Sequence, residues 1–321
     1  MRSPLRRLLV TALLCLPTVV LADYPNGPVR LNVGFPPGTG PDIVARTLSQ
    51  QLGERLKQSV VVENRAGAGG QIAAQAVARS PADGQTLLLG EVGSISISPA
   101  TYDNLNYDPA KDFAPISEVV RADFALVVPA DSPYKTLADF VKAGKDAKDR
   151  VNFGTFGAGT PGHFGAELFA RETGMKIEPV HYRSTGDAVT ALVSGNVQAA
   201  FVTTALAAPQ VQGGKMRALA ITGAKPSDAL PGVPTFAQEG HDKVDFGAWF
   251  ALFAPAGTPD AVLDRLQKES AAALQAPEAA RTLKDAGFIV VASSREDLKK
   301  LLDSEAKRWS EVVKATGFKA N

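Results

Sequence analysis

The sequence predicts an α/β protein built of two lobes, and two observations carry that expectation. Short apolar runs alternate with helix-like patterns along most of the 321 residues, the signature of parallel strands joined by helices. One local arrangement also occurs twice, about 120 residues apart: an apolar run, a glycine-rich loop, and a helix opened by a proline. The first copy is Gly34-Phe35-Pro36-Pro37-Gly38-Thr39-Gly40-Pro41-Asp42. The second is Gly154-Thr155-Phe156-Gly157-Ala158-Gly159-Thr160-Pro161-Gly162-His163. Each ends in a helix start, so the chain suggests two lobes that each offer a positive helix N-terminus.

The elements follow in order. Val29, Leu31 and Val33 lead into the first loop; Ile43, Val44, Leu48, Leu52 and Leu56 mark the helix that leaves it. Gly38 and Gly40 let backbone approach a ligand with no Cβ in the way. Pro41 fits the first helical position, where its missing N–H costs nothing. The loop is then either an ordinary tight turn or an anion site at a helix start. Residues 59–63 read as a strand, 64–70 as a loop, 71–79 as a helix of small residues, and 86–89 as the next strand. Ligands of parallel sheets sit beyond the carboxyl ends of strands, which sets Gly93 and Ser94, in the expected loop 90–94, on the same edge as residues 35–42. Residues 102–117 read as irregular, 123–129 as a strand, and Thr136 as the N-cap of a helix to Ala147. Residues 151–153 lead into the second loop, where Thr160 and Pro161 take the places of Gly40 and Pro41, and a helix runs over 164–173. A strand over 176–182, a loop over 183–187, a helix over 188–194 and a strand over 197–202 come next. Thr203 and Thr204 then precede a short helix from Ala205, and a strand over 216–222 closes the series. Residues 226–234 read as a crossing between lobes, 246–253 as an aromatic strand, 259–275 and 277–286 as proline-opened helices, and 288–292 as a last strand. A capping box at Ser294 starts a long amphipathic helix through Trp309.

Residues 1–22 stand apart. Arg2, Arg6 and Arg7 precede an apolar run broken by Pro17, and Val20-Leu21-Ala22 supplies the small residue that a signal peptidase needs, so cleavage is expected after Ala22. The single cysteine, Cys15, falls in that leader. The expected mature chain therefore holds no disulfide, thiolate metal site or cysteine nucleophile. Losing three arginines takes the formal charge from +1 to −2, which leaves no electrostatic footprint for nucleic acid. The cleavable leader places the protein in a periplasm or outside the cell.

The chemistry of an enzyme is thin. The three histidines are His163, His181 and His241; no Gly-x-Ser-x-Gly elbow, His-Glu-x-x-His pair or phosphate loop with Lys occurs. One competitor stands: Gly157-Ala158-Gly159-Thr160-Pro161-Gly162 is a literal Gly-x-Gly-x-x-Gly, and Glu178 lies where a ribose-binding acid would be, so an exported oxidoreductase remains an alternative. His163 reads as bracing the loop or facing a ligand rather than as a general base. Asp42 and Asp187 either brace their own helix starts, the reading with more weight, or meet a ligand's donor. Arg183 either pairs with a ligand carboxylate or is an exposed loop residue. Trp249, Phe250, Phe253 and Trp309 read as core.

These segments together resemble the periplasmic substrate-binding receptors of tripartite tricarboxylate transporters, the Bug family. The matching pieces are 34–46 (G-F-P-P-G-T-G-P-D-I-V-A-R), 62–70 (V-E-N-R-A-G-A-G-G), 82–88, 108–115, 157–163, 195–201, 231–240, 249–259 and 305–309, in order and across the whole expected mature chain. The resemblance implies a two-lobed, type II periplasmic-binding-protein-like fold, each lobe a mostly parallel sheet flanked by helices. One lobe would hold residues 23–124 and 226–321, the other 125–225. It implies a monomeric, non-enzymatic receptor without cofactor or metal, which captures a small mono-, di- or tricarboxylate, aliphatic or aromatic, and delivers it to membrane transporter subunits. A receptor that signals to a membrane sensor is the related alternative. The carboxylate would be held mainly by loop amides and waters at Phe35, Pro37, Gly38, Thr39, Gly40 and Asp42 in one lobe and Gly157, Ala158, Gly159, Thr160 and His163 in the other. Three positions depart from the family's pattern: Thr39 separates two glycines that are often adjacent, Ser184 follows Arg183, and Val202-Thr203-Thr204 follow Phe201. Ser184, Thr185, Thr203 and Thr204 would offer hydroxyls to the distal end of the ligand, beside Arg183 and Asp187.

Overall fold

The computed structural model describes residues 24–182 and 185–320, the Thr185 side chain excepted. The expected leader, Arg183 and Ser184 lie outside the described residues. β1 (Val29–Val33) turns three valines and leucines inward, and α1 (Gly40–Leu56) follows. Leu48 and Leu52 of α1 are fully buried, each contributing about 1.5–3 kcal/mol over an exposed leucine. β2 (Val60–Asn64), α2 (Gln71–Ala78) and β3 (Thr86–Glu91) complete the first unit, with β1 paired in parallel to both β2 and β3.

Two stretches differ from expectation here. Residues 90–94 are not an open loop: β3 runs on to Glu91, and Gly93–Ile97 forms a π-helical turn that passes into α3 (Ser98–Thr101). Residues 102–117 are not all irregular either. The short α4 (Pro109–Asp112) leads straight into β4 (Phe113–Pro129), a strand ten residues longer at its start than the stretch 123–129. Pro115, and register shifts between Pro115 and Ser117 and between Glu118 and Val120, break the two-residue alternation that marks a strand in sequence.

The second unit repeats the first. α5 (Leu137–Asp146) opens on a capping box between Thr136 and Asp139. β5 (Val151–Thr155), α6 (Pro161–Thr173), β6 (Ile177–His181), α7 (Thr185–Val193), β7 (Ala199–Thr203), α8 (Thr204–Gln212) and β8 (Met216–Ile221) follow. β5 pairs in parallel with β6 and β7, as β1 does with β2 and β3. β9 (Gly247–Pro255), α9 (Asp260–Leu274), α10 (Pro277–Asp285), β10 (Ile289–Val290) and α11 (Arg295–Thr316) return to the first unit. The expected strand 288–292 shrinks to two paired residues because Val291 and Ala292 both turn their N–H groups to the Val119 carbonyl.

The strands join in the order β2-β1-β3-β9-β4-β7-β5-β6, with β10 and β8 also on β4. β4 belongs to both halves: Phe113 to Asp123 pair with β9, and Phe124 to Pro129 with β7 and β8. Four of the six strands on one side of that crossing and four of the five on the other run one way, so each half is mostly parallel in direction. β1, β2 and β3 run with β4, whereas β5, β6 and β7 run against it. Their carboxyl ends therefore converge on the Asp123–Phe124 crossing from opposite sides. A buried aromatic chain closes the face under α11: Phe124 lies 5.2 Å from Phe246, Phe246 6.4 Å from Trp309, and Trp309 6.2 Å from Phe164. Trp249, Phe250, Phe253 and Trp309 are all core residues, and both indoles donate to Glu305 Oε2, at 3.2 and 2.9 Å.

Candidate functional site

The loops after β1 and β5 share one internal design. In the first, Gly38 sits at φ 80 and its N–H donates to Asp42 Oδ2, four residues on, at 2.8 Å. In the second, Gly159 sits at φ 77 and its N–H donates to His163 Nδ1, also four residues on, at 3.1 Å. Thr39 Oγ1 donates to the Pro36 carbonyl at 2.7 Å, and Thr160 Oγ1 to the Gly157 carbonyl at 2.8 Å. Thr39 and Thr160 are the N-caps of α1 and α6 in near-identical extended backbone, so the register is Thr39 with Thr160, one residue off the Gly40–Thr160 match expected from sequence. Left-handed glycines make both turns cheap, since a Cβ there would be strained.

Asp42 and His163 are therefore braces. Asp42 is buried and also accepts from Arg46 Nε at 2.9 Å and from Asn64 Nδ2 at 2.9 Å; the same Asn64 nitrogen donates to the Phe35 carbonyl at 3.0 Å. Burial pushes the Asp42 carboxyl up, but the bonds from Arg46, Gly38 and Asn64 outweigh it and hold the group down at about 2. His163 is buried between the rings of Phe164 (4.7 Å), His181 (4.6 Å) and Phe318 (5.1 Å). Burial first, and then His181, lower its pKa to about 4, so the ring is neutral at pH 7 and its Nδ1 is free to accept. His181 in turn bonds Thr155 through Nδ1 at 2.7 Å.

The third loop end differs from the reading made for it. Glu91, at the end of β3, takes the N–H groups of Gly93 and Ser94 on its two carboxylate oxygens, both at 2.7 Å. Ser94 is buried, its hydroxyl bonds the Glu91 carbonyl at 3.3 Å, and its carbonyl accepts from Tyr107 at 2.6 Å. The amides of Gly93 and Ser94 are thus committed inside the protein, and both residues serve as framework. Burial drives the Glu91 carboxyl up to about 7 against the pull of the two amides and the Ser94 hydroxyl. This framework sits beside the first loop: a Cβ on Gly70 would lie 3.5 Å from Ser94 Cβ, and one on Gly34 only 2.4 Å from Gly70 Cα, so the two backbones need glycine to approach.

In the first loop Pro37 and Gly38 are exposed, and Phe35, Thr39 and Gly40 are half-buried. In the second, Ala158 is exposed, and Gly157, Gly159 and Thr160 are half-buried. The N–H groups of Gly40, Asp42 and Gly162 lie in first turns, where no intrahelical carbonyl is in reach. Thr185 and Asp187 fall in the first turn of α7 rather than in a loop, and Asp187 is exposed. Thr203, the N-cap of α8, accepts from the Leu206 N–H at 3.4 Å; Thr204 is buried as the first residue of α8, one earlier than expected. Arg183 and Ser184 lie outside the described residues. α8 reaches the other lobe at its start: a Cβ on Gly287 would lie 2.1 Å from Ala205 Cβ, and the neighbouring Phe288 ring lies over Gly40. Asn64, Glu91 and Phe288 escape sequence reasoning. Asn64 alone left a signal, a polar amide closing the strand next to β1.

Glu178 lies near the start of β6, opposite Asn152, and pairs with Arg150 at 3.5 Å. That is the far end of the strand from the second loop, so it cannot serve as the ribose-binding acid of a dinucleotide site. A cavity of about 750 Å³ opens beside α11, lined by Ile95, Phe113, Phe253, Lys299, Leu302 and Ala306 among others; none of the loop residues named above borders it. Among the described residues, no cluster of His, Cys, Asp or Glu is arranged to hold a metal ion, and no helix is long and apolar enough to cross a membrane.

Two mostly parallel halves joined through β4, with loops facing each other at the crossing, define a two-lobed, type II periplasmic-binding-protein-like fold. The family model described as "Tripartite tricarboxylate transporter family receptor" matches residues 44–318. BugT of Bordetella pertussis is 33% identical over 302 residues, covering 94% of this chain and 93% of BugT. Among solved structures, R. palustris Rpa4515 with adipate is 32% identical at a TM-score of 0.80, covering 92% of this chain and 99% of that one. MatC from Rhodopseudomonas palustris with bound malate is 31% identical at a TM-score of 0.77, covering 90% of this chain and 100% of that one. The chain belongs to the tripartite tricarboxylate transporter receptors, the Bug family.

Proposed function

We propose that this protein is a periplasmic, non-enzymatic receptor that binds a small organic acid between its lobes and delivers it to a tripartite tricarboxylate-type membrane transporter. The observation that carries the reading is the pair of similarly built loops converging on the Asp123–Phe124 crossing, each opening a helix whose first turn keeps amides without an intrahelical partner, at Gly40 and Asp42 in one and Gly162 in the other. Two helix starts aimed at one space attract a carboxylate without a dedicated cation. The adipate and malate bound to the two relatives fit that chemistry. We take residues 23–124 and 226–321 as one lobe and 125–225 as the other, with residues 1–22 removed on export. Phe35, Pro37–Gly40 and Gly157–Thr160 line the carboxylate end, with Arg183, Ser184, Thr185, Asp187, Thr203 and Thr204 toward the distal end and the protein acting as a monomer.

Thermal unfolding of the mature protein against mono-, di- and tricarboxylates, aliphatic and aromatic, tests the reading. A ligand at a hundred times its Kd adds about 2.7 kcal/mol of stability, which a melting curve resolves easily. A panel in which no carboxylate raises the melting temperature overturns it.

A further inference from the structure

We infer that Phe318, in the segment after α11, is a positioning residue for the second glycine loop. α11 ends at Thr316 and is capped by Gly317 in the left-handed region, after which the Phe318 N–H donates to Thr316 Oγ1 at 3.2 Å. The Phe318 ring meets His163 edge-on at 5.1 Å and Phe164 edge-on at 5.6 Å. Its Cε1 lies 3.8 Å from where a Cβ on Gly159 would stand. The segment is tied down on its other side: Lys319 Nζ pairs with Asp103 Oδ1 at 2.6 Å, and the Ala320 N–H donates to the Thr101 carbonyl at 2.9 Å. Phe318 is thus held between α3, in the lobe of β1, and the loop that opens α6 in the other lobe.

The consequence follows from the acceptor on His163. Gly159 donates its N–H to Nδ1, and only a neutral imidazole has a nitrogen that accepts; both nitrogens of the imidazolium are donors. A protonated His163 would set N–H against N–H, inside the first turn of a helix that already repels cations. The brace therefore lasts only while the ring stays dry and neutral. Phe164 stacks on one face of the ring, and His181 and Phe318 each pack against it at a steep angle. Removing Phe318 opens that contact to water and makes the imidazolium cheaper. His181 of β6 is the titratable group that meets the His163 ring. The charges on neighbouring segments are Lys319, paired with Asp103, and the half-buried Glu167 four residues along α6; Arg183 lies outside the described residues.

The inference rests on the proposed role of the second loop, and its test has two arms. The first needs no ligand: the imidazole resonances of the three histidines are titrated by NMR in the mature protein and in Phe318→Ala and Phe318→Leu. The His163 midpoint is expected to rise by about one pH unit or more in Phe318→Ala, tenfold in protonation, and to return most of the way in Phe318→Leu, which restores an apolar cover. The second arm measures adipate and malate affinity at pH 8 and pH 4.5. Phe318→Ala is expected to lose roughly threefold more affinity than the parent on going to pH 4.5, the ratio that a one-unit rise from about 4 gives when only the neutral ring braces the loop. An unchanged His163 midpoint, or an affinity loss equal at both pH values, overturns the inference. If the parent binds neither acid at either pH, the ligand reading is what fails, and the titration arm still decides the role of Phe318.

Discussion

Asp42 shows how much one side chain organises. It joins Gly38 of the loop, Arg46 of α1 and Asn64 of β2, so three elements meet on one carboxylate. Asp42→Asn keeps the shape but cannot accept from every donor, and about 1–3 kcal/mol is expected to be lost at neutral pH. The pH dependence has a definite sign. The folded-state pKa, about 2, lies below the ordinary 3.8, so this stabilisation is complete above pH 4 and lost as pH falls toward 2. Urea unfolding of both proteins between pH 2 and 6 should show curves that differ at pH 6 and converge at the acid end; a constant gap would mean that the carboxylate charge is not what matters. His163 acts in a higher window: its lowered pKa makes the native state less stable as pH falls from about 6.5 toward 4. Thr39 looks in sequence like an intruder between two glycines. In the fold it is the counterpart of Thr160, with the same backbone shape and the same hydroxyl bond three residues back.

At the scale of elements, α6 is placed by a missing side chain. A Cβ on Gly165 would lie 2.0 Å from Cζ of Phe246, whose ring is fully buried. Gly165→Ala gains helix propensity but overpacks the core, and the net effect is expected to be destabilising by about 1–3 kcal/mol, read from the midpoint of denaturant unfolding. An unchanged midpoint would show that Phe246 has room to shift. Helices and inner strands were legible from pattern because local periodicity and capping residues determine them: Thr136 caps α5 and Pro161 opens α6 as read. At Ser294 the hydroxyl caps α11, but Asp297 takes that hydroxyl rather than the Ser294 N–H, so only half of the expected capping box forms. The start of β4 was not legible. Its pairing with β9 joins residues more than a hundred positions apart, and its two bulges and Pro115 erase the alternation. The end of β3 misled for a related reason, since Gly93 and Ser94 look like an open glycine turn until Glu91 is seen to fill it.

At the scale of the whole molecule, the two halves touch where α8 begins. Ala205 and Gly287 meet with no room for another methyl group, and Phe288 beside them covers Gly40 at the start of α1. A larger side chain at this contact should hold the lobes apart. Ala205→Leu is therefore expected to weaken carboxylate binding by roughly tenfold, which corresponds to about 1.4 kcal/mol of binding free energy. Calorimetric titration gives the affinity and small-angle scattering the separation; native affinity with native dimensions would show that this contact plays no part in setting the lobes for binding.

The sequence by itself determined the class of fold, the doubled strand-loop-helix unit and the family, because repeated glycines, prolines and apolar periods act locally and survive without coordinates. Only the tertiary structure decided which loop amides are already taken. Asp42, Glu91 and His163 each fill a glycine loop from within, and a ring from residue 318 seals the last of them. Those choices depend on distances between groups far apart in the chain, and chain order carries no record of such distances.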